Sequence, residues 1–298
     1  MSGKEAVSKK KLTKCPTGQE TWRFLMRINN NISSMVSQGA LFNNNRKLGG
    51  DLEKLSTGLR VNRASDDAAG LAISEGLRAQ VKGSEQAKRN TLDGISALGI
   101  VDGAYNEIHA ILQRAREIAV QGANATYSST ERGYMQTELQ ALGSEIARIV
   151  SATTWNKDTK LLTGTGFQGT NLQVGSNASG ENQIALNYTN ATAFGVTAAT
   201  TLTSAGDATS LLTAIDAGIK DVSTARAGVG ALINRLENTV NNLTTSITNQ
   251  QAAESQIRDV DFAYQSSIFT RNQILTQSAT AMLTQANATT QGALSLIR

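Results

Sequence analysis

The sequence is poor in the residues that usually hold a compact core or a metal site together. Its 298 residues include one Cys, one His and one Pro, and aromatic residues make up 4%. One Cys excludes an intramolecular disulfide, and one His excludes a multi-histidine zinc site. Because Cys15 and Pro16 both lie in residues 1–25, the rest of the chain contains no Pro to interrupt a helix. The composition therefore predicts a mainly helical protein.

Charge is unevenly distributed along the chain. The formal net charge of +4 is carried by residues 1–25, whereas basic and acidic residues balance in the remainder. A balanced body lacks the basic face of a nucleic-acid-binding protein, and we predict no nucleic-acid partner. No apolar run approaches the ~20 residues of a membrane-spanning helix, so we predict no membrane insertion. Residues 1–25 also lack the apolar core of a secretory signal.

Four segments repeat apolar residues at alternating steps of three and four. This spacing is typical of helices that bury one stripe against partner helices, and it predicts a long, coiled-coil-like helical rod. The repeats comprise Ile28, Ile32 and Met35 leading into Leu48, Leu52, Leu55 and Leu59; Val101, Tyr105, Ile108, Leu112, Ala115 and Ala119; Met135, Leu139, Leu142, Ile146 and Ile149; and Leu236, Val240, Leu243, Ile247 and Ile257, with the polar Gln250 and Glu254 continuing the same spacing.

The middle of the chain, about 153–210, is rich in Thr, Asn, Gly and Ser. Thr170–Val174 and Gln183–Tyr188 alternate in polarity like short strands, which predicts a small β-hairpin insertion within the helical rod. The run GTGFQG, Gly164–Gly169, matches a dinucleotide-binding pattern by letter. No helix signal follows it, so we interpret it as a turn and predict no cofactor.

The connector between the first two helical segments reads TGLRVNRASDDAAG. Gly58 is expected to end one helix, and Ser65 or Asp66 to cap the next. Asp66 and Asp67 could alternatively contribute to a metal site, but that would require further carboxylates nearby. We favour a capped connector and predict no metal.

The last segment, Phe262–Arg298, carries charge only at Arg271 and Arg298. Its apolar residues Ile268, Leu275 and Met282 are spaced seven apart, as in a helix buried among other helices. The segment before Arg46 is similarly rich in Asn and Ser. We therefore expect the two ends to pair and to become ordered on assembly.

Long stretches of the chain resemble bacterial flagellin. The resemblance covers Met26–Arg298 and is carried by MRINNNISSM, by LEKLSTGLRVNRASDDAAGLAISEGLRAQVKG, by LQRAREIAVQGAN and by the C-terminal block Asn241–Arg298, which ends in LSLIR. It implies paired N- and C-terminal helices forming a D0 domain and longer helices forming a D1 domain. The implied boundaries are 26–67 and 259–298 for D0, 68–258 for D1, and an unmatched leader at 1–25.

The resemblance implies a structural function rather than an enzyme. A flagellin is exported by the flagellar type III system and polymerises with copies of itself into an extracellular filament for motility. The implied partners are hook-associated and cap proteins, an export chaperone at the C-terminal segment, and a vertebrate Toll-like receptor. For the leader we expect an over-called start, with Met26 as the initiator; a regulatory or targeting arm is the alternative.

The resemblance also points to a surface on the second helical segment. Its residues are candidates either for packing between subunits, which we favour, or for recognition by the receptor. They are Gln113, Arg114, Arg116, Glu117, Ile118, Val120 and, on the next helix, Glu138.

Other functions remain as alternatives. A hook–filament junction protein shares flagellin-like ends, and a secreted adhesin or immune agonist would not polymerise. Enzyme activity ranks last: His109 lies in a helical repeat without a pocket motif, so no Ser-His-Asp arrangement is supported.

Overall fold

The computed structural model describes residues 30–157, 159–163, 167–190 and 201–295. The predicted leader at 1–25 and the start of the GTGFQG run lie outside the described residues. The mainly helical fold with a small hairpin insertion is confirmed. Its elements are α1 (Ile32–Thr57), α2 (Ala68–Gly122), α3 (Ser129–Ala152), β1 (Asn171–Gln173), a short 3₁₀ turn (Gly180–Asn182), β2 (Gln183–Ala185), α4 (Ala205–Arg258) and α5 (Phe262–Ser295).

The chain divides into two compact units. One consists of Met1–Gly58 with Val260–Arg298, and the other is Leu59–Asp259. We call them the terminal unit and the central unit, after their places in the chain. The division falls after Gly58, where the sequence had suggested residue 67. The reason is local: Gly58 has a φ of 72°, and its N–H donates to the Lys54 carbonyl at 2.9 Å, which ends α1.

The connector after Gly58 therefore belongs to the central unit. Leu59 forms an isolated antiparallel bridge with Asp259. The predicted caps of α2 were wrong, because Asp67 is the N-cap and its Oδ1 accepts from the Gly70 N–H at 2.9 Å. The Asp66 carboxylate instead accepts from the backbone of Arg63 at 3.0 Å and stabilises the turn before the helix.

The central unit is built on the antiparallel pair of α2 and α4. Ion pairs join Asp102 to Arg226 and Arg116 to Asp216. The later residue of α2 therefore pairs with the earlier residue of α4, as in two antiparallel helices. The predicted repeat on α2 forms the core stripe, since all six of its members have no exposed surface. The predicted seam on α3 packs there too, with Leu139 fully buried.

The hairpin insertion lies against α2. β1 and β2 pair antiparallel, with Leu172 opposite Ile184, close to the strands predicted from the alternating pattern. Gly94 of α2 lies beneath Leu172: a Cβ at residue 94 would be 2.5 Å from Leu172 Cδ2. A small residue at this position thus lets the hairpin approach the helix. The insertion is shorter than the predicted 153–210, because Ser204 caps α4 and helix begins at Ala205.

Two tyrosines hold the insertion in place, Tyr105 from α2 and Tyr188 from within the insertion itself. The Tyr105 hydroxyl donates to the Thr189 carbonyl, and the Tyr188 hydroxyl donates to the Leu161 carbonyl at 2.6 Å. Burial raises the pKa of both phenols, that of Tyr188 to about 12, and the neighbouring Tyr188 raises the pKa of Tyr105 further. Both side chains are therefore neutral hydrogen-bond donors at ordinary pH.

Candidate functional site

The terminal unit exposes most of its large apolar side chains. α1 has no fully buried residue, although it carries several large aliphatic and aromatic side chains. Ten such side chains across α1 and α5 are between 44% and 69% exposed. They are Ile32, Met35, Val36, Phe42 and Leu52 on α1, and Phe262, Tyr264, Ile274, Leu275 and Met282 on α5. An exposed apolar surface of this kind marks an interaction surface.

The seam between α1 and α5 mixes polar and aliphatic side chains. Its half-buried positions on α1 follow a heptad-like spacing; the polar ones are Ser34, Ser37, Asn44 and Asp51, and the aliphatic ones are Leu41, Leu48 and Leu55. The two helices run antiparallel, because the Asn31 amide donates to the Ala286 carbonyl at 2.9 Å, near opposite ends of their sequences. Several polar side chains thus face the intrachain partner while many large apolar ones face outward.

The predicted assembly residues on α5 do not form one buried stripe. Ile268 is half-buried, whereas Leu275 is 44% and Met282 is 62% exposed. The physical reason is that α5 has a single helical partner within its unit, and that partner covers only one side. The apolar repeat that the sequence revealed therefore lies mainly on the side left open.

The second candidate surface lies on α2 and α3 of the central unit. Arg114 joins the two helices: its Nη2 and Nε donate to Glu138 Oε1 at 2.8 and 3.1 Å. Its Nη1 also donates to Glu117 Oε2 at 3.0 Å. Hydrogen bonds to Glu138, then to Glu117, raise the pKa of the guanidinium, which keeps it charged. The structure thus brings together three of the predicted residues.

Arg116 lies on the side of α2 that faces α4. Its Nε donates to Asp216 Oδ1 at 2.6 Å, and this bond with the neighbouring negative charge raises the pKa of Arg116. Gln113 instead contacts His109, with 3.0 Å between their Nε2 atoms. The predicted surface therefore spans three separate polar groups rather than one cluster.

Two apolar members of the predicted surface behave differently. Val120 is 50% exposed and is available to a partner, but Ile118 is only 2% exposed and belongs to the core. Including Ile118 in the surface was wrong. The resemblance to flagellin placed it there, whereas the helical turn rotates its side chain toward the core stripe.

Sequence reasoning missed Asp51 and Asp216. Asp216 lies one residue after the buried Ile215 on α4, and its partner Arg116 is a hundred positions away in the chain. A helical-wheel comparison of α2 with α4 in antiparallel register could have found this pair. Asp51 could have been noticed as an acidic residue at an inward heptad position.

The described residues provide little for other chemistry. Within them, no group of three or more Cys, His, Asp or Glu side chains is arranged to hold a metal ion. No helix in the same part of the chain is both long enough and apolar enough to cross a membrane. The half-buried His109 contacts an amide rather than an acid or a nucleophile.

Comparison with known families identifies the fold. Residues 28–166 match the family model described as the bacterial flagellin N-terminal helical region, and residues 212–297 match the bacterial flagellin C-terminal helical region. The chain belongs to the bacterial flagellin family. As a flagellin it is a structural subunit of the flagellar filament and not an enzyme, and its place is the extracellular filament.

Similar proteins cover nearly the whole length of the chain. It is 45% identical over 277 residues to a flagellin of Halalkalibacterium halodurans, with 92% of this chain and all of the relative aligned. It is 40% identical over 287 residues to the flagellar filament 31.3 kDa core protein of Treponema maltophilum, with the same coverage. A crystal structure of Bacillus cereus flagellin matches with a TM-score of 0.46 and 29% identity, covering 56% of this chain and 94% of that one.

Proposed function

We propose that the terminal unit drives polymerisation by burying its exposed apolar side chains against other copies of the chain. The supporting observation is the arrangement of α1 and α5, in which the most buried side chains of the intrachain seam are polar and ten large apolar side chains face outward. Fully burying an exposed large apolar side chain contributes roughly 1.5–3 kcal/mol. The ten side chains are still 44–69% exposed, so each can contribute a part of that, and together they form a substantial driving force. The outward faces thus become interior surfaces only in the polymer.

The subunit is exported unfolded through the flagellar type III system before it assembles. Composition supports this step, because a chain with one Cys and one Pro has no intramolecular disulfide to reshuffle and little slow isomerisation to wait for. Two isolated helices with a partly polar seam are marginally stable alone, since helix nucleation is unfavourable. Ordering of the ends then accompanies addition to the filament.

Further partners contact the same apolar surface at other stages. An export chaperone at the C-terminal segment would cover residues such as Ile274 and Met282 before assembly. Hook-associated and cap proteins would meet the subunit at the filament ends. Each of these partners needs an apolar groove or helix face complementary to α5.

The Arg114 surface of the central unit makes a second, more polar contact between subunits. The side chains of Arg114 and Glu138 are 55% and 47% exposed, so both can exchange partners across an interface. A guanidinium offers several donors in a planar arrangement, which suits such an exchange. A vertebrate Toll-like receptor is the second candidate partner of this surface.

Seeded polymerisation tests the leading proposal. Met35→Ser with Met282→Ser removes two outward side chains that are 67% and 62% exposed. The thermal unfolding of the central unit should not change, whereas extension of short filament seeds should slow by at least about tenfold. Gln273→Ser with Gln285→Ser, at exposed polar positions of α5, is the matched control. Normal extension by the methionine variant would contradict the proposal.

A further inference from the structure

The most buried side chains of the terminal unit are two amides. Among its described side chains only Gln265 and Asn272 are fully buried, at 7% and 8% exposure. Both lie on α5 and are seven residues apart, so they face the same side of the helix. A helix pair whose most buried side chains are amides needs a partner for their donors.

One carboxylate on α1 provides that partner. Gln265 Nε2 donates to Asp51 Oδ1 at 2.8 Å, and Asn272 Nδ2 donates to Asp51 Oδ2 at 2.5 Å. The two oxygens of Asp51 thus each receive one amide, and the two amides lie on either side of it along α5. Hydrogen bonds to a charged acceptor are stronger than those between neutral groups.

This arrangement is satisfied in only one register of the two helices. If α5 slips by one heptad in one direction, Asp51 meets Asn272 and Ala279, and one of its two amide partners is lost. A slip in the other direction leaves Asp51 facing Gln265 and a position that precedes α5, so the bond from Asn272 is lost. In both cases a buried amide is left without its acceptor, which is costly.

The rest of the seam is less specific for one register. Leu41, Leu48 and Leu55 on α1 are seven residues apart, so a one-heptad slip puts one leucine in the place of another. The half-buried α5 positions beyond Asn272 are mostly small, with one larger residue, Leu283; they are Thr276, Ala279, Leu283, Ala286 and Thr290. A one-heptad slip would move the outward apolar residues of α5 by roughly 10 Å along α1. A slipped pair would then present a different surface to the next subunit.

We propose that Asp51 is a positioning residue that selects the register of α5 against α1, and so fixes the surface that the terminal unit presents for assembly. The inference rests on the proposed polymerisation through that unit. Asp51 acts through the two amides that it accepts from. A single buried polar group that specifies register is a known device of paired helices.

A reciprocal exchange tests this role. Asp51→Leu removes the acceptor, and Asn272→Asp places two carboxylates together. Asp51→Asn combined with Asn272→Asp restores the bonds, because the new amide at 51 donates to the new carboxylate at 272 and its oxygen accepts from Gln265. We expect each single variant to extend seeds at least about tenfold more slowly, and the exchanged pair to recover.

Cross-linking reads the register directly. With Cys15→Ser, cysteines replacing Asn31 and Ala286 should be joined by a short thiol cross-linker in the native register, because those residues share a hydrogen bond. The single variants should lose this cross-link in seeded filaments, and the exchanged pair should regain it. A purely structural need for polar residues would not predict recovery by exchange.

Three results would overturn the proposal. They are native cross-linking and extension by Asp51→Leu, failure of the exchanged pair to recover, and recovery of extension without the cross-link. The proposed polymerisation fails separately: a chain with the original Asp51 that forms the native cross-link but never extends seeds would support the register role and contradict the filament role of the terminal unit.

Discussion

Ser176 of the hairpin turn lies directly over Gly83 of α2. A Cβ at residue 83 would be 2.8 Å from Ser176 Cβ and 3.2 Å from its Cα, closer than such atoms pack. Because the obstruction includes backbone, rotation of a side chain cannot relieve it. The insertion therefore depends on the absence of a side chain at this position of a 55-residue helix.

Gly83→Ala should destabilise the central unit relative to a matched glycine substitution. The comparison is Gly99→Ala, where a Cβ has nothing within 4 Å and should gain about 1 kcal/mol of helix propensity. Overpacking at residue 83 should make that variant less stable than the control by about 1–3 kcal/mol. Chemical denaturation followed by circular dichroism measures the difference. Equal stability would show that the hairpin turn shifts to accommodate the added methyl group at no cost.

The stability of the central unit should fall in alkaline solution. Burial raises the pKa of Tyr188 from 10.0 to about 12, so the folded state holds the proton more tightly than the unfolded state. This contribution is complete below pH 10, decreases as pH rises from 10, and is lost once pH passes the folded pKa near 12. Urea unfolding at a series of pH values should show the decline.

Tyr188→Phe identifies the group responsible. The variant should cost about 1 kcal/mol at neutral pH, because the Leu161 carbonyl loses its donor. Its decline between pH 10 and 12 should be shallower than that of the unaltered protein, with the remaining slope due to other groups, including Tyr105. An unchanged slope would assign the alkaline sensitivity to other groups.

Asp67→Ala should weaken the start of α2 by about 1 kcal/mol, since the Gly70 N–H loses its side-chain acceptor. Asp67→Asn should retain most of the stability, because Asn is an equally good N-cap. Thermal unfolding of the two variants separates capping from charge. A loss in the Asn variant as large as that in the Ala variant would mean that the carboxylate charge, rather than the cap, matters.

Arg114→Asp should slow seed extension while leaving the fold intact. The new carboxylate would face Glu138 and Glu117, and all three groups are solvent-exposed, so the repulsion is screened in the free subunit. Arg148→Asp is the control, because Arg148 forms a comparable exposed pair with Glu145 on α3 outside the surface. Equal extension by both variants would argue against packing through Arg114.

The same two variants test receptor recognition. Signalling by vertebrate cells that carry the Toll-like receptor should fall with Arg114→Asp and should persist with Arg148→Asp. Depolymerised subunits are the appropriate sample, since packing in the filament would otherwise alter both responses. Unchanged signalling by Arg114→Asp would exclude this residue from recognition.

The elements of the central unit were largely predictable from sequence. The repeat from Val101 to Ala119 predicts both the helix and its buried face, because the apolar residues of a long helix packed on one side recur at alternating steps of three and four. The strands were predictable from short-range alternation and flanking glycines. Errors arose at junctions, where Asp67 rather than Ser65 or Asp66 is the cap, since small changes in backbone angle decide which side chain reaches the helix.

The candidate surfaces were only partly predictable. The resemblance to flagellin grouped Ile118 with Arg114 and Arg116, although helical rotation directs its side chain into the core. The pairing of Arg116 with Asp216 depends on the register of two helices far apart in the chain. Sequence spacing alone does not determine which of several similar registers two helices adopt.

The sequence by itself determined the family, the helical character and the absence of an intramolecular disulfide, because these follow from long ordered motifs, local periodicity and a single Cys. Tertiary structure decided which face of each helix is covered. On α1 and α5 it placed Asp51, Gln265 and Asn272 inside and Met35 and Met282 outside, the reverse of what hydrophobicity suggests for a lone pair of helices. The physical reason is that one neighbouring helix can cover only one side.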